Sequence, residues 1–166
     1  MTTTYDTALV CLNGHMITDS TRVDPEPDKK YCDACGKELI SNCVNCNSPI
    51  HGRYYVNYHI TGQRPITCSD PAKFCYSCGK PYPWMESAID AANNYASSMG
   101  VLSPEEVAGF NSSLQEIIVD SPKTELFAVK MKMLVSKLGA GAGGPLRDFL
   151  VDVISESAKK IIWPDK

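Results

Sequence analysis

The spacing of apolar positions along this chain changes near residue 83. Before it, short apolar or aromatic runs at residues 8–10, 16–18 and 53–60 are separated by polar turns, which predicts short strands and hairpins. The segment 24–30 is polar and carries two prolines, so it predicts a loop. After residue 83, apolar residues recur every three or four positions, which predicts amphipathic helices. The pattern therefore indicates an α+β protein with a strand-rich first half and a helical second half.

Residues 83–166 predict a small bundle of about four helices. The first ends at Gly100, and the second begins at a capping box, Ser103-Pro104-Glu105-Glu106, with proline at the first helical position. The third begins at Ser121-Pro122 by the same device and ends at Gly139. Its apolar positions, which we expect to face the shared core, are Leu126, Val129, Met133, Leu134 and Leu138. The glycine-rich residues 139–145 predict a flexible connection, and a fourth helix follows from about Pro145 to Ile162.

Cysteine usage divides the chain at almost the same place. All eight cysteines lie between residues 11 and 78, and the 88 residues that follow Cys78 contain none. The first part of the chain therefore depends on cysteine chemistry for its stability, whereas the second part needs an apolar core of its own. We expect two domains, residues 1–82 and residues 83–166.

Charge gives little support for a nucleic-acid surface. The net charge is −3, with eight basic and eight acidic side chains in residues 1–82 and eight and eleven in residues 83–166. Neither half has the basic patch that is typical of duplex binding. The N-terminus lacks the regions of a secretory signal, and no apolar run approaches the roughly 18 residues of a membrane span. We therefore expect a cytoplasmic protein with reduced cysteines and no membrane association.

Four pairs of metal-type ligands carry the chemistry of residues 1–82. Together they supply seven cysteines and one histidine, namely Cys11, His15, Cys32, Cys35, Cys43, Cys46, Cys75 and Cys78. In a reducing compartment, C-x-x-C spacing indicates metal binding before a disulfide. Two closed tetrahedral zinc sites need eight ligands, so the count predicts two structural zinc ions with no open coordination position. Such a set indicates a double zinc ribbon built from short β-hairpins.

The residues beside the ligands support this interpretation. Gly36 and Gly79 follow two of the pairs and Asn47 follows a third, and both residue types tolerate the left-handed backbone that turns the chain around a metal. In the first, wider pair, Gly14 precedes His15. We expect the pairs to share ions in sequence, the first with the second and the third with the fourth. The alternative is a RING-like cross-brace, in which the first and third pairs share one ion.

Three potential ligands remain outside the four pairs. We interpret Cys68 as a spare, partly buried thiol, which could otherwise replace one ligand of the second site. His51 and His59 are interpreted as surface or packing histidines. No catalytic motif accompanies them, because none of the three histidines begins an H-x-E motif and the chain has neither H-E-x-x-H nor G-x-S-x-G. We therefore expect no enzymatic activity.

The predicted function is that of a non-enzymatic adaptor or regulatory protein with a protein partner. The candidate partner-binding residues are aromatic, because such side chains are enriched at interfaces, and they are Tyr54, Tyr55, Tyr58 and Trp163. The simpler interpretation is that the tyrosines cover the ribbon core and that Trp163 is a lid on the bundle. Two alternative functions are a nucleic-acid-binding regulator that stacks bases on the tyrosines and a RING-like adaptor in protein modification, which requires the cross-brace.

Longer segments resemble an uncharacterised family of small bacterial zinc-ribbon proteins with a C-terminal helical region. The resemblance is carried by the ligand pairs with their flanks and by two helical segments, which together are residues 5–15, 31–36, 43–52, 75–84, 120–124 and 146–160. It spans most of the chain. The resemblance implies a bacterial or phage source and a two-zinc ribbon at the N-terminus, and it brings no known activity, substrate or catalytic residue.

Overall fold

The computed structural model of the protein describes residues 2–58 and 62–164, with side chains except at residues 57–58, 62–63 and 140–143. The chain divides into two compact units, Met1–Glu86 and Ser87–Lys166. Short antiparallel strands come first along the chain and helices follow them, so the α+β class predicted from the sequence is confirmed.

The strands form two three-stranded antiparallel sheets. Their bounds are β1 Thr3–Thr7, β2 Leu9–Cys11, β3 Met16–Thr18, β4 Leu39–Ile40, β5 His51–Tyr58 and β6 Gly62–Ile66. In the first sheet β5 lies between β1 and β6, and in the second β2 lies between β3 and β4. The runs predicted as strands at residues 8–10 and 16–18 correspond to β2 and β3. The run at 53–60 lies largely in β5, and its residues 59 and 60 are outside the described ranges.

A small core holds the first unit together. Its buried members are Ala8, Val10, Cys43, Ile50, Cys75 and Tyr82. Trp84 packs against this core, with its ring centroid 4.7 Å from that of Tyr82, and its Nε1 donates a hydrogen bond to the Ala72 carbonyl at 3.1 Å. So few apolar side chains bury little area, and chains with such small cores usually need a metal or disulfides as well.

Strand β5 lies too close to the segment after β3 for a side chain at Gly52. A Cβ atom there would lie 2.1 Å from the carbonyl oxygen of Asp19. The backbone amide of Arg53 donates to the same oxygen at 2.7 Å. The guanidinium of Arg53 donates from Nε and Nη2 to the Asp19 carboxylate. Burial raises the pKa of Asp19, but the hydrogen bonds from Arg53 and from the Cys68 amide, together with the charge of Arg53, outweigh burial and hold that pKa below its ordinary value. This approach and the ion pair fix β5 to the loop after β3.

The described residues after the strands form five helices, where about four are predicted. They are α1 Pro83–Ser98, α2 Pro104–Ile117, α3 Thr124–Lys137, α4 Gly139–Val151 and α5 Glu156–Ile162. The predicted capping box of α2 is confirmed, because Ser103 Oγ accepts from the Glu106 amide and the Glu106 carboxylate accepts from the Ser103 amide. Gly100 has a φ of 63° after α1, as expected for a residue that ends a helix.

Three predictions about the later helices are wrong. Residues 139–145, predicted as a flexible connection, form the first half of α4, with Pro145 inside the helix. The predicted fourth helix is interrupted between α4 and α5. Residues Leu146 and Leu150 of α4 are fully buried, and this packing outweighs the low helix propensity of glycine. Finally, α3 begins at Thr124 rather than at Pro122, because the Ser121 amide donates to Thr124 Oγ1 and closes a turn before the helix.

The buried side of α3 also differs from the prediction. Leu126, Val129 and Met133, expected in the core, are 57%, 46% and 64% exposed. The buried positions of α3 are instead Thr124, Ala128, Met131 and Val135. They join a core that includes Phe110, Leu114, Ile117, Leu146, Leu150, Val153 and Ile154. Because α3 has apolar residues on two sides, helical periodicity alone cannot decide which side is buried.

The Glu106 carboxylate of the capping box should make the stability of the helices depend on pH. Hydrogen bonds from Lys137 and from the Ser103 amide lower the pKa of Glu106. A lowered pKa gives stability that is complete above the unfolded-state value, about 4.3 for glutamate, and is lost as the pH falls through the folded-state value. We expect Glu106→Gln to remove this loss of unfolding free energy at acid pH. The measurement is urea unfolding of variant and wild type, followed by helical ellipticity at a series of pH values from 7 to 3.

The hydroxyl of the same box is tested by Ser103→Ala, which should cost about 1 kcal/mol of unfolding free energy at pH 7. Ser136→Ala is the matched control, because Ser136 is exposed inside α3 and its hydroxyl bonds back to the Lys132 carbonyl. An equal loss in the two serine variants, or an unchanged pH profile in Glu106→Gln, would contradict the role of the capping box.

Candidate metal centres

Three of the four ligand pairs are built on the same backbone hairpin. The residue before the first cysteine forms a bridge with the residue seven positions later, in the pairs Tyr31 and Glu38, Asn42 and Pro49, Phe74 and Pro81. Inside each hairpin the amide of the first cysteine donates to the carbonyl five positions later, and the amide four positions later donates back to the cysteine carbonyl, at distances of 2.7–2.9 Å. This repeated turn places both thiols of a pair close together.

The backbone of these turns has the conformation that their sequence predicts. After the three C-x-x-C pairs, φ is 69° at Gly36, 71° at Gly79 and 61° at Asn47. The first pair closes differently, with a φ of 87° at Gly14 and a hydrogen bond from the His15 amide to Cys11 Sγ at 3.2 Å. The predicted need for glycine or asparagine at these positions is therefore confirmed, and each pair is organised by its local sequence.

The first cluster joins Cys11, His15, Cys32 and Cys35. Cys11 Sγ lies 3.7 Å from Cys35 Sγ, and His15 Nδ1 lies 3.5 Å from each of Cys11 Sγ and Cys32 Sγ. A tetrahedral zinc ion, with metal–sulfur bonds of about 2.3 Å and metal–nitrogen bonds of about 2.0 Å, sets its sulfurs about 3.8 Å apart and sulfur about 3.5 Å from nitrogen. The donor atoms therefore fit a tetrahedral ion, with Nδ1 as the histidine ligand atom.

The second cluster joins Cys43, Cys46, Cys75 and Cys78. Cys43 Sγ lies 3.9 Å from Cys78 Sγ, and Cys46 Sγ lies 3.6 Å from Cys75 Sγ. Both distances again match the edge of a tetrahedron of thiolates around one ion. The site could hold a metal ion through four sulfur ligands.

The ligand pairs are grouped in sequence, the first with the second and the third with the fourth. A cross-brace would bring the first and third pairs together, and the structure does not have this arrangement. The RING-like alternative depended on that interleaving, so its structural condition is not met. The grouping is the one expected of two successive ribbons, each with its own four ligands.

Burial differs between the ligands of the second cluster. Cys43 and Cys75 belong to the core of the unit, whereas Cys46 and Cys78 are exposed. Hydrogen bonding by the Ser48 hydroxyl, whose oxygen lies 3.4 Å from Cys46 Sγ, together with the Ser48 amide lowers the pKa of Cys46 to about 6. This environment favours the thiolate, which is the form that binds a metal.

Cys78 shows the opposite effect. The amide of Lys80 favours its thiolate, but the partial loss of water around the sulfur and the three neighbouring thiols together outweigh that bond and raise the pKa of Cys78 to about 11. Four thiols this close repel each other as anions. A cation at their centre would compensate for that repulsion, so the crowding is consistent with a metal centre.

Tyr82 supports the second cluster from the core side. It is only 1% exposed and is hydrogen-bonded to Cys75, and burial together with the nearby sulfurs raises its pKa well above the ordinary value. Its hydroxyl therefore stays protonated and can donate to the Cys75 thiolate. Such hydrogen bonds from outside the ligand set orient a metal ligand.

The tyrosines predicted to bind a partner have different surroundings. Tyr54 is partly buried, with its ring centroid 5.7 Å from that of Tyr5. The Tyr55 hydroxyl donates to Asp6 Oδ2 and accepts from Nη2 of the exposed Arg22, each at 3.0 Å. Tyr58 ends β5, and its side chain lies outside the described part of the chain. Tyr55 thus has a structural hydrogen-bonding role, and the partner-binding role of these tyrosines stays a prediction.

Trp163, the fourth predicted partner-binding residue, follows α5 and is partly buried. The guanidinium of Arg147 lies over its ring, 5.7 Å from the centroid. This contact agrees with the simpler interpretation of Trp163 as a lid on the helices. Binding of a partner by Trp163 stays a prediction.

The spare cysteine and His51 lie outside both clusters. Cys68 Sγ donates to the Gly52 carbonyl at 3.4 Å, and the Cys68 amide donates to Asp19 Oδ2 at 3.0 Å. Its interpretation as a partly buried thiol is confirmed, and burial raises its pKa. His51 is a packing histidine, as expected, whereas His59 lies outside the described residues.

An aromatic stack around His51 was missed by sequence reasoning. The ring of His51 lies between Tyr5 and Tyr76, with centroid distances of 4.0 and 3.8 Å and near-parallel planes. The outer rings are 49% and 57% exposed. Tyr76 lies between the two cysteines of the fourth pair in the sequence, so the stack connects the first sheet to the second cluster of ligands. Only the proximity of β1, β5 and the fourth pair reveals it.

Comparisons with known proteins give a family and little else. Within the described ranges, no helix is both long and apolar enough to cross a membrane. No curated protein and no solved structure matches the chain significantly. The sequence profile of one family, DUF2321, described as an uncharacterized protein conserved in bacteria, matches residues 4–162, which is nearly the whole chain. The chain, with its two ribbon-like clusters and helical second half, therefore belongs to this bacterial family.

Proposed function

We propose that this protein is a non-enzymatic zinc-binding adaptor, in which two structural zinc ions hold residues 1–86 as a rigid platform for a protein partner. The tetrahedral spacing of two complete four-ligand sets carries this conclusion. Zinc has no geometric preference from its d electrons and accepts both the four-sulfur and the three-sulfur, one-nitrogen set. Because each set is complete, no coordination position is left for water or substrate, which favours a structural role over a catalytic one.

A protein partner is supported by the side chains that the ligand pairs display. Tyr31 precedes the second pair and Tyr76 lies inside the fourth, and they are 62% and 57% exposed. Aromatic rings supply a large contact area with few rotatable bonds, and they dominate the energetics of many interfaces. Since a metal ion would stiffen the hairpins that bear them, these rings would be presented on a preorganised backbone. A reducing compartment such as the cytoplasm fits this function, because the thiolates must stay reduced.

Single-stranded nucleic acid is the second candidate partner, and one observation favours it. The stack of Tyr5, His51 and Tyr76 is open at its exposed tyrosines, and a base could extend such a stack. The charge balance weighs against it, because residues 1–82 carry equal numbers of acidic and basic side chains. A protein partner is therefore the better supported of the two.

Metal analysis tests the first half of the proposal. Protein purified without added metal should contain two zinc ions per chain, one for each cluster, by elemental mass spectrometry. Iron in place of zinc would contradict the assignment of the metal, since a four-sulfur tetrahedral site also suits iron. A metal-free protein with titratable thiols and an intact fold would contradict the structural role.

Photo-crosslinking tests the second half. A photoreactive phenylalanine derivative at Tyr76, introduced in bacterial cells, should give a light-dependent adduct with a protein that resists nuclease. The same group at Val23, which is 47% exposed in the same unit, is the matched control. A nuclease-sensitive adduct would support the nucleic-acid alternative, and identical products at the two positions would rule out a specific platform at Tyr76.

A further inference from the structure

Helix α3 leaves a row of apolar side chains uncovered. Leu126, Val129 and Met133 are spaced three and four residues apart, so they lie on one side of the helix, and each is about half exposed or more. The opposite side of α3 is already buried through Ala128, Met131 and Val135. An exposed apolar row on a helix that has a separate buried side is typical of a surface that binds another chain.

A groove lies beside this row, between α2 and α3. It has a volume of about 360 Å³ and is lined mainly by Gly109, Ser112 and Ser113 of α2 and by Phe127, Met133 and Leu134 of α3. A Cβ atom at Gly109 would meet no other atom within 4 Å, so the groove is open where α2 has its smallest residue. Met133 belongs both to the exposed row and to the groove, which makes the two one continuous apolar surface.

The charged side chains that line the groove are two acids and two lysines, and their positions leave one cation at its middle. At one end Lys137 of α3 is paired with Glu106 of α2, and the neighbouring Glu105 accepts a hydrogen bond from the Ser103 hydroxyl. Lys130 lies two helical turns before Lys137 on α3, with its ammonium 4.8 Å from the Phe127 ring centroid. Within the described part of the chain, Lys130 has no carboxylate within 4 Å. The middle of the surface therefore offers one unpaired cation next to an apolar groove.

We propose that the α2–α3 groove and the exposed row of α3 bind an amphipathic helix of a protein partner, with apolar side chains in the groove and a carboxylate against Lys130. This inference rests on the proposed adaptor function and specifies the chemistry of the partner. A helix suits the surface because the row follows helical spacing, and apolar anchors at i, i+3 or i+4 and i+7 match such a row. From Leu126 to Lys137 the surface is about 16 Å long, which corresponds to about three turns of the bound helix.

A designed peptide tests the proposal without an identified partner. The probe is a fluorescent, N-acetylated helix of about 18 residues, with leucines at i, i+3, i+7 and i+10 and glutamate and alanine elsewhere. Two further peptides carry lysine in place of every glutamate, or the same residues in scrambled order. Binding to the zinc-loaded full-length protein is followed by fluorescence anisotropy at low and high salt. We expect the glutamate peptide to bind at least about tenfold more tightly than either of the other two.

Three variants localise the binding. Met133→Glu and Gly109→Leu should each weaken the glutamate peptide by about tenfold or more, the first by placing a charge in the row and the second by filling the groove. Lys130→Glu should reverse the preference, so that the lysine peptide binds more tightly than the glutamate peptide. Val23→Glu, in the first unit, is the matched control and should leave binding unchanged. Thermal unfolding of each variant shows whether the helices remain folded.

Several outcomes would overturn the proposal. They are equal binding of the scrambled or lysine peptide, no binding of the glutamate peptide up to about 1 mM, and unchanged binding in all three variants. Self-association that Met133→Glu abolishes in sedimentation experiments would show that a second copy of this chain covers the surface instead. These results would leave the adaptor function standing if the Tyr76 crosslink to a protein persists, so the two proposals can fail separately.

Discussion

Cys75→Ser is expected to reduce the bound zinc from two ions to one per chain and to unfold much of residues 1–86, whereas Cys68→Ser should keep both ions and the fold. Cys75 is a ligand of the second cluster and part of the apolar core, so its loss affects the metal and the packing together. Cys68 belongs to neither set of ligands. The two substitutions make the same chemical change, which makes the second a matched control for the first.

The size of this effect follows from the coupling of metal binding to folding. Structural zinc contributes an apparent 10–16 kcal/mol in small zinc domains, roughly as much as the whole stability of an ordinary domain, about 5–15 kcal/mol. The first unit has a small core and cannot replace such a contribution by packing. A variant that retains three ligands would bind zinc far more weakly and would leave an open position for water.

The measurement combines elemental mass spectrometry with fluorescence of Trp84. A Trp163→Phe background makes Trp84 the sole tryptophan, because the chain has two, and Trp84 packs against the core of the first unit. In Cys75→Ser, the emission of Trp84 should be that of a tryptophan in an unfolded chain. Because the second site no longer holds metal in this variant, a chelator should not change this emission further. Native emission with full metal content in Cys75→Ser, or equal loss in Cys68→Ser, would refute the assignment of the second cluster.

Gly52→Ala is expected to destabilise the first unit by about 3 kcal/mol, a large effect for one methyl group. The added Cβ would lie 2.1 Å from the backbone oxygen of Asp19, and neither backbone can yield easily. The same oxygen accepts the Arg53 amide, and the Asp19 carboxylate is held by the Arg53 guanidinium. Moving the segments apart would therefore also strain a partly buried ion pair.

Urea unfolding followed by Trp84 emission measures this loss. Gly109→Ala is the contrasting variant, since a Cβ there meets no atom within 4 Å and alanine is favoured over glycine inside a helix by about 1 kcal/mol. Its unfolding is followed by helical ellipticity, and it should be stabilised. If Gly52→Ala were as stable as the wild type, the close approach of β5 to the loop after β3 would be disproved.

Local features of the fold could be predicted from the sequence because a few neighbouring residues determine them. The turns after the C-x-x-C pairs need a left-handed residue, so Gly36, Asn47 and Gly79 reveal them directly. The box at Ser103 predicts the start of α2 for a similar reason, since its hydrogen bonds span three residues. Strand β1 had no such signal, because Thr3–Thr7 is short and polar and becomes a strand only by pairing with β5.

The errors concern features that depend on distant parts of the chain. Residues 139–145 are poor helix formers, yet they are helical because Leu146 and Leu150, one and two turns further on, are buried in the core. The choice between the two apolar sides of α3 is also made by its neighbours, and this choice left Leu126, Val129 and Met133 exposed. Helical periodicity reports that a side is apolar and carries no information about what covers it.

The sequence by itself determined the eight metal-type side chains, their tight turns and the start of α2, because each depends on chemistry within a few residues. The tertiary structure alone decided which pairs share a cluster, that Cys68 is left outside both, that Gly52 must lack a side chain, and that His51 is stacked between two tyrosines. These are contacts between segments far apart along the chain. Strand pairing and core packing set the geometry of these contacts, and the local spacing of residues does not predict it.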